Sequence, residues 1–142
     1  MAKILRDITE IARCGNQYRT QQLEQYGLRG AGVSALLEIC RNPGISQDVL
    51  ARRICLNKSN AARQAAKLEE AGYILRKNGP DDKRMMALYP TEKALQIQPE
   101  VLQTIRSWRE YLTAELTEQE IETVAKVLER MRQKAAAWVE VH

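Results

Sequence analysis

A chain of 142 residues with 44% hydrophobic and 28% charged side chains suits one folded domain. No run in it approaches the roughly 18 apolar residues that a membrane span needs. The formal net charge is +4, the single histidine is His142 and the three cysteines form no C-x-x-C, so neither a disulfide framework, a structural zinc site nor any other metal or cofactor is expected.

The pattern is helical almost throughout. Ile4, Ile8 and Ile11, with Leu5 and Ala12, recur at helical spacing over residues 3–22 and predict an amphipathic first helix. Charges at Lys3, Arg6 and Asp7 come too early for a signal-peptide core, and a cytoplasmic protein without membrane contact is expected. Gly27, Gly30 and Gly32 break the pattern, and a second helix is expected from about Ala31 to Arg41, stopping at Asn42-Pro43-Gly44. Cys14 shares a helical face with Ile4, Ile8 and Ile11, and Cys40 shares one with Val33, Leu36 and Leu37. The expectation for Cys14, Cys40 and Cys55 is burial as small hydrophobes, with redox sensing as the alternative.

Ser46 is placed to cap a short helix, with Asp48 in the first turn where the helix dipole favours an anion. Val49, Leu50 and Ile54 are its apolar positions. Asn57 then caps a longer helix that ends at Gly72, and the pair reads as a helix-turn-helix. Two β-prone runs follow, at 73–76 and 85–89. Between them lies Asn78-Gly79-Pro80-Asp81-Asp82-Lys83-Arg84, and Asn-Gly in that setting signals a hairpin. Tyr89, before Pro90, suits the end of a strand. Thr91 caps a long helix to about Ala114, which Pro99 is expected to kink or divide. Thr117-Glu118-Gln119-Glu120 is a capping box and opens the last helix. The apolar positions there are Ile121, Val124, Leu128, Met131, Ala135 and Trp138, three or four apart, a coiled-coil-like seam that needs a partner.

The fold class is therefore mainly α with a small β-hairpin wing, a winged helix-turn-helix flanked by N- and C-terminal helices. Charge is concentrated in its middle: residues 52–93 carry ten lysines and arginines against five acids, a balance of +5, which leaves −1 for the rest. A basic middle suits a polyanion, although a solvated charged face has the same composition. The helix after Asn57 turns Ala61, Ala65, Leu68 and Ala71 inward and places Lys58, Ser59, Asn60, Arg63, Gln64 and Lys67 outside, with no acid before Glu69. Arginine pairs bidentately with guanine, and asparagine or glutamine with adenine. A thin element bearing arginine fits the narrow, negative minor groove. In this reading Asp82 orients Arg84 by an ion pair, while Lys77 and Lys83 meet the backbone.

These segments resemble the MarR (multiple antibiotic resistance regulator) family of winged helix-turn-helix repressors over nearly the whole chain. The resemblance is sharpest at Leu56-Asn57-Lys58-Ser59, at Leu68 to Ile74, and at Asp81-Asp82-Lys83-Arg84 through Leu88 and Thr91 to Ala94. The family pattern D-x-R, then L, then T-x-x-G is met by Asp82, Arg84, Leu88 and Thr91. Ala94 replaces the usual glycine, Asn60 a frequent threonine and Gln64 a frequently apolar residue; these departures bear on the operator and not on the fold. The resemblance implies a single domain over 1–142, with a DNA-binding lobe at 31–90 and dimerisation helices at 1–26 and 91–142. It further implies a homodimer joined through Ile4, Ile8 and Ile11 and through Ile121, Val124, Leu128, Met131 and Trp138, bound to pseudo-palindromic double-stranded DNA. Family members are released by a small ligand or by cysteine oxidation. Arg13, Tyr18, Tyr26, Trp108 and Tyr111 are the candidates to line a ligand pocket, with ordinary packing as the competing role. An enzyme is the weakest alternative and is not expected, since the sequence has no internal histidine, Gly-rich phosphate loop or nucleophile motif. The rival reading is a winged-helix protein-interaction module that does not bind DNA.

Overall fold

The computed structural model describes residues 2–142. Helix α1 spans Ala2–Leu23 and continues into a short 3-10 turn, Glu24–Tyr26; α2 spans Ala31–Arg41. Strand β1 (Ile45–Ser46) leads into α3 (Gln47–Arg53) and α4 (Lys58–Glu70), followed by β2 (Ile74–Asn78), β3 (Met86–Pro90), α5 (Glu92–Thr113) and α6 (Glu118–Val141). The sheet has the order β1-β3-β2 and is antiparallel, with Ile45 opposite Leu88 and the β2–β3 register running from Ile74 opposite Pro90 to Asn78 opposite Met86. The third strand, β1, is an addition to the expected hairpin. Pro99 lies within α5 without dividing it.

Local chemistry sets most boundaries. The Ser46 hydroxyl accepts the Val49 N–H at 3.1 Å, and the Asn57 side chain accepts the Asn60 N–H at 2.8 Å, so both helices of the helix-turn-helix begin on side-chain caps. Three helical segments end alike. Leu28, Leu56 and Tyr73 donate their N–H to the carbonyls of Leu23, Ala51 and Leu68, while Gly27, Cys55 and Gly72 donate to Glu24, Arg52 and Glu69. This paired pattern is the Schellman motif, which needs a left-handed residue after the cap. Gly27 (φ 74°) and Gly72 (φ 83°) supply it without strain, but the third is Cys55 (φ 56°). Gly32 does not break a helix: it lies inside α2, where an added Cβ would stand 3.3 Å from the Gln64 side-chain oxygen.

The described residues form two compact units with a boundary between Arg106 and Ser107, inside α5. In the first, Leu36, Ile39, Leu50, Leu68, Tyr73, Ile74, Leu88 and Val101 are buried in one core, joined by Leu23 and Leu28 from the end of α1. The rest of the apolar face of α1 is uncovered: Ile4, Ile8 and Ile11 are 49%, 38% and 52% exposed. In the second unit the capping box is complete, with Glu120 N–H on the Thr117 hydroxyl at 3.1 Å and Thr117 N–H on the Glu120 carboxylate at 3.0 Å. Ile121, Val124, Leu128, Met131 and Trp138 are all exposed along α6. The cysteines differ from expectation. Cys40 is half-buried, with its thiol pKa pushed up by desolvation, but Cys14 and Cys55 are exposed. Cys14 shares its face with isoleucines that are themselves exposed, and Cys55 sits on a turn.

Cys55→Gly should stabilise the fold by about 0.5–1 kcal/mol, since relief of the left-handed strain outweighs glycine's extra entropy in the unfolded chain. Cys55→Val should destabilise it. Urea titration of the two variants beside wild type reads the difference, and a lower midpoint for the glycine variant would refute the account.

Candidate nucleic-acid interface

Helix α4 presents an acid-free first turn, and its buried side is Ala61, Ala65 and Leu68. Lys58, Ser59, Arg63 and Lys67 are exposed, whereas Asn60 and Gln64 are half-buried. The two half-buried polar residues lie in different surroundings. The Asn60 side-chain oxygen accepts a hydrogen bond from the Arg63 guanidinium, which ties the two residues into one polar unit on the helix surface. Gln64 packs towards Gly32 of α2, so a position often apolar in the resembled family carries a partly buried amide here. Lys58 lies 4.0 Å from the Asp48 carboxylate, both well exposed, a contact worth little in water.

The wing is the expected hairpin, with its tip one residue further along than the 78–84 segment. With Asn78 opposite Met86, the loop runs from 79 to 85. Gly79 N–H donates to the Met85 carbonyl at 2.6 Å, and Met85 N–H donates to the Asp82 carbonyl at 3.0 Å, which closes a turn inside the loop. A Cβ on Gly79 would come within 2.7 Å of the Met85 methyl carbon and 2.9 Å of the Asp82 carbonyl. Glycine is required there for space and not for a left-handed backbone. The Asp82 carboxylate accepts the Arg84 backbone N–H at 2.9 Å. Among the described residues no ion pair joins it to the Arg84 guanidinium, so Asp82 shapes the turn, and the expected side-chain pairing is replaced by an Asx-type contact. Lys83 and Arg84 are exposed at the tip, and the Lys77 ammonium lies 5.4 Å from the centre of the Tyr89 ring at the base.

A clamp that the sequence reading passed over joins these two elements. Arg76, on β2, donates from Nε and Nη2 to one Glu69 carboxylate oxygen at 3.1 and 2.9 Å, and its backbone N–H donates to the other at 3.2 Å. Glu69 is in the last turn of α4, so the fork fixes the wing's first strand to that helix. The hydrogen bonds from the Arg76 side chain hold the Glu69 carboxyl below its usual range. No spacing rule finds this pair, because it bridges a helix, a turn and a strand.

The candidate ligand residues divide between the units. Arg13 is exposed, and Tyr18 and Tyr26 are half-buried, Tyr26 against the core. In the second unit the rings of Trp108 and Tyr111 stack with centroids 5.8 Å apart. Among the described residues no group of histidine, cysteine, aspartate and glutamate is arranged to hold a metal ion, and no helix is long and apolar enough to cross a membrane.

The architecture and sequence both have known counterparts. The MarR family profile matches residues 32–86, which cover the helix-turn-helix and the wing loop. An uncharacterised HTH-type transcriptional regulator, YybA of Bacillus subtilis, is 32% identical over 93% of this chain and 88% of its own length. The chain belongs to the MarR family. The crystal structure of the transcriptional regulator SlyA superposes with a TM-score of 0.93 at 31% identity, over 98% of this chain and 99% of that one. A MarR family regulator from Listeria monocytogenes, crystallised with a 26mer DNA, superposes with a TM-score of 0.88 at 28% identity, over 94% and 89% of the two chains. This MarR-family protein is a DNA-binding transcriptional regulator and not an enzyme.

The lowered Glu69 pKa sets a pH test. Stabilisation from the clamp is present above the carboxyl's ordinary pKa of 4.5 and is lost as the pH falls through the lower folded value. Arg76→Met should therefore be less stable than wild type at pH 7, with the gap closing as the pH drops below that ordinary value. A gap independent of pH in denaturant titrations would show that Arg76 acts by packing alone.

Proposed function

We propose that this MarR-family regulator works as a homodimeric repressor on a pseudo-palindromic operator, with α4 in the major groove and the wing tip in the flanking minor groove. The observation that carries this reading is the Glu69–Arg76 clamp, which holds two exposed cationic elements in one frame. Lys58, Ser59, Arg63 and Lys67 face the DNA from α4, with Asn60 buttressing Arg63 and Gln64 set deeper. Lys77, Lys83 and Arg84 do so from the wing, on a turn held by Asp82. The DNA-bound Listeria relative supports the same use of the fold here. The exposed rows on α1 and α6 support a dimer, since apolar seams of that kind seldom face water. Two-fold symmetry then sets the recognition helices about 34 Å apart, one turn of DNA.

Release by a small ligand or by oxidation follows the family's habit. Arg13, Tyr18, Tyr26, Trp108 and Tyr111 are the ligand candidates, and the exposed thiol of Cys55 is the oxidation candidate, since Cys14 lies on the α1 face that the dimer would cover. Any such effector acts only by favouring a dimer geometry that does not fit DNA. Work on chromosomal DNA places the protein in the cytoplasm. A protein-interaction module without DNA binding would have no use for so many unneutralised cations on one helix and its wing.

Selection from random-sequence DNA, followed by mobility shift, tests the reading. An enriched pseudo-palindrome is expected, and no enriched site at low salt would sink it. On the selected site Arg84→Ala should weaken binding by about tenfold or more and flatten the slope of log K against log salt by about 2, one contact from each protomer. Unchanged affinity across the salt series would remove Arg84 from the interface. Asn60→Ala should shift base preference at a few positions, and an identical motif selected by the variant would deny base reading by the Asn60–Arg63 unit.

A further inference from the structure

Tyr73 lies at the meeting point of three helices. Its backbone N–H donates to the Leu68 carbonyl at 2.9 Å, at the end of α4, and its carbonyl accepts the Thr91 N–H at 2.9 Å, at the start of α5. Its ring is 2% exposed, and its hydroxyl crosses to the end of α1, where it donates to the Tyr26 carbonyl at 2.5 Å. Lys93 closes the far side: its ammonium lies 4.4 Å from the Tyr73 ring centre and donates to the Ala71 carbonyl at 2.5 Å. The end of α1 is otherwise seated by Leu23 and Leu28, each 1% exposed. Apolar packing of that kind is non-directional, whereas a hydrogen bond to a buried ring fixes an angle.

We infer that the Tyr73 hydroxyl is a positioning group that sets the angle between α1 and the recognition helix, and through it the half-site spacing the dimer accepts. This inference rests on the dimeric DNA-binding reading above. In a dimer joined through the exposed face of α1, each lobe hangs from its own α1, so a small rotation at Tyr26 becomes a displacement of α4. Tyr73 touches no DNA in this account and reads no base. It restricts which centre-to-centre spacings fit. One base pair added at the operator centre turns a half-site by about 34–36° and moves it about 3.4 Å, so a stiff junction penalises the change.

The experiment compares the selected operator with versions carrying one base pair inserted or removed at the centre. For wild type each change should cost about tenfold or more in affinity, comparable to losing a base contact. Tyr73→Phe should keep most affinity for the original spacing, within about threefold, and reduce the spacing penalty to less than about threefold, because removing the donor leaves the apolar packing of the junction in place. Tyr73→4-fluorophenylalanine, which fills the volume of the hydroxyl without donating, should behave the same and covers the case where the phenylalanine variant folds poorly. Lys93→Met loosens the same junction but leaves the hydroxyl, and it should retain the wild-type penalty. An unchanged penalty in both Tyr73 variants overturns the inference, as does equal relaxation in Lys93→Met, which would mean general loosening. Failure to select any site would instead sink the DNA-binding reading, and the inference with it.

Discussion

The last turn of α4 is where the helix-turn-helix, the wing and α5 are held together. Any helix ends with carbonyls that lack intrahelical partners, and leaving them unmet in a packed region costs free energy. Here the chain meets them with groups from other elements. Gly72 and Tyr73 turn back their own N–H groups, the Thr91 hydroxyl donates to the Gly72 carbonyl at 2.7 Å, and Lys93 donates to Ala71. The lysine also places a cation at the negative end of the helix. The same turn carries Glu69, which grips β2 through Arg76. Satisfying one helix end therefore fixes the directions of β2 and α5 at once, and the left-handed Gly72 is what lets the chain reverse there.

The wing shows a contrast between its base and its tip. At the base, β2 is paired along its length with β3 and clamped to α4. At the tip, order comes from backbone contacts: Gly79 to Met85, Met85 to Asp82, and the Asp82 carboxylate to the Arg84 N–H. Spending the carboxylate on the backbone leaves the guanidinium charge uncompensated. An ion pair would have oriented Arg84 but reduced its pull on phosphate. The arrangement found here keeps the full charge and fixes only the Cα from which it projects.

Features that depend on near neighbours were legible in the sequence. Ser46, Asn57 and the Thr117–Glu120 box act over three residues, so their types and spacing suffice to place α3, α4 and α6. The hairpin and the extent of its loop were visible from Asn-Gly and the β-prone flanks, but the turn inside the loop was not, because the reason for Gly79 is the Met85 side chain and the Asp82 carbonyl folded against it. β1 is too short to show any period. The Glu69–Arg76 clamp and the Tyr73–Tyr26 bond bring together residues whose separation has no repeating pattern. Cys55 took a left-handed position that sequence rules reserve for glycine or asparagine. The exposure of Cys14 has another cause: helical periodicity identifies an apolar face, yet does not say whether that face is packed within the chain.

In the proposed complex the two cationic elements also differ in what binding costs them. Arg63 is already held by the Asn60 oxygen, so part of its rotamer freedom is spent before DNA arrives. Among the described residues no side-chain hydrogen bond or ion pair joins Arg84 to a neighbour in this way, and ordering a long side chain costs up to about 2 kcal/mol. A preorganised group loses little on docking and can discriminate between positions that differ by fractions of an ångström. An unpaired charge on a shaped loop gains mainly from long-range attraction, which is strong at low salt and tolerant of the exact step it meets. In the proposed complex the two tasks then separate physically: the Asn60–Arg63 unit is suited to choosing bases, and the Asp82–Arg84 tip to sensing the potential of the groove beside them.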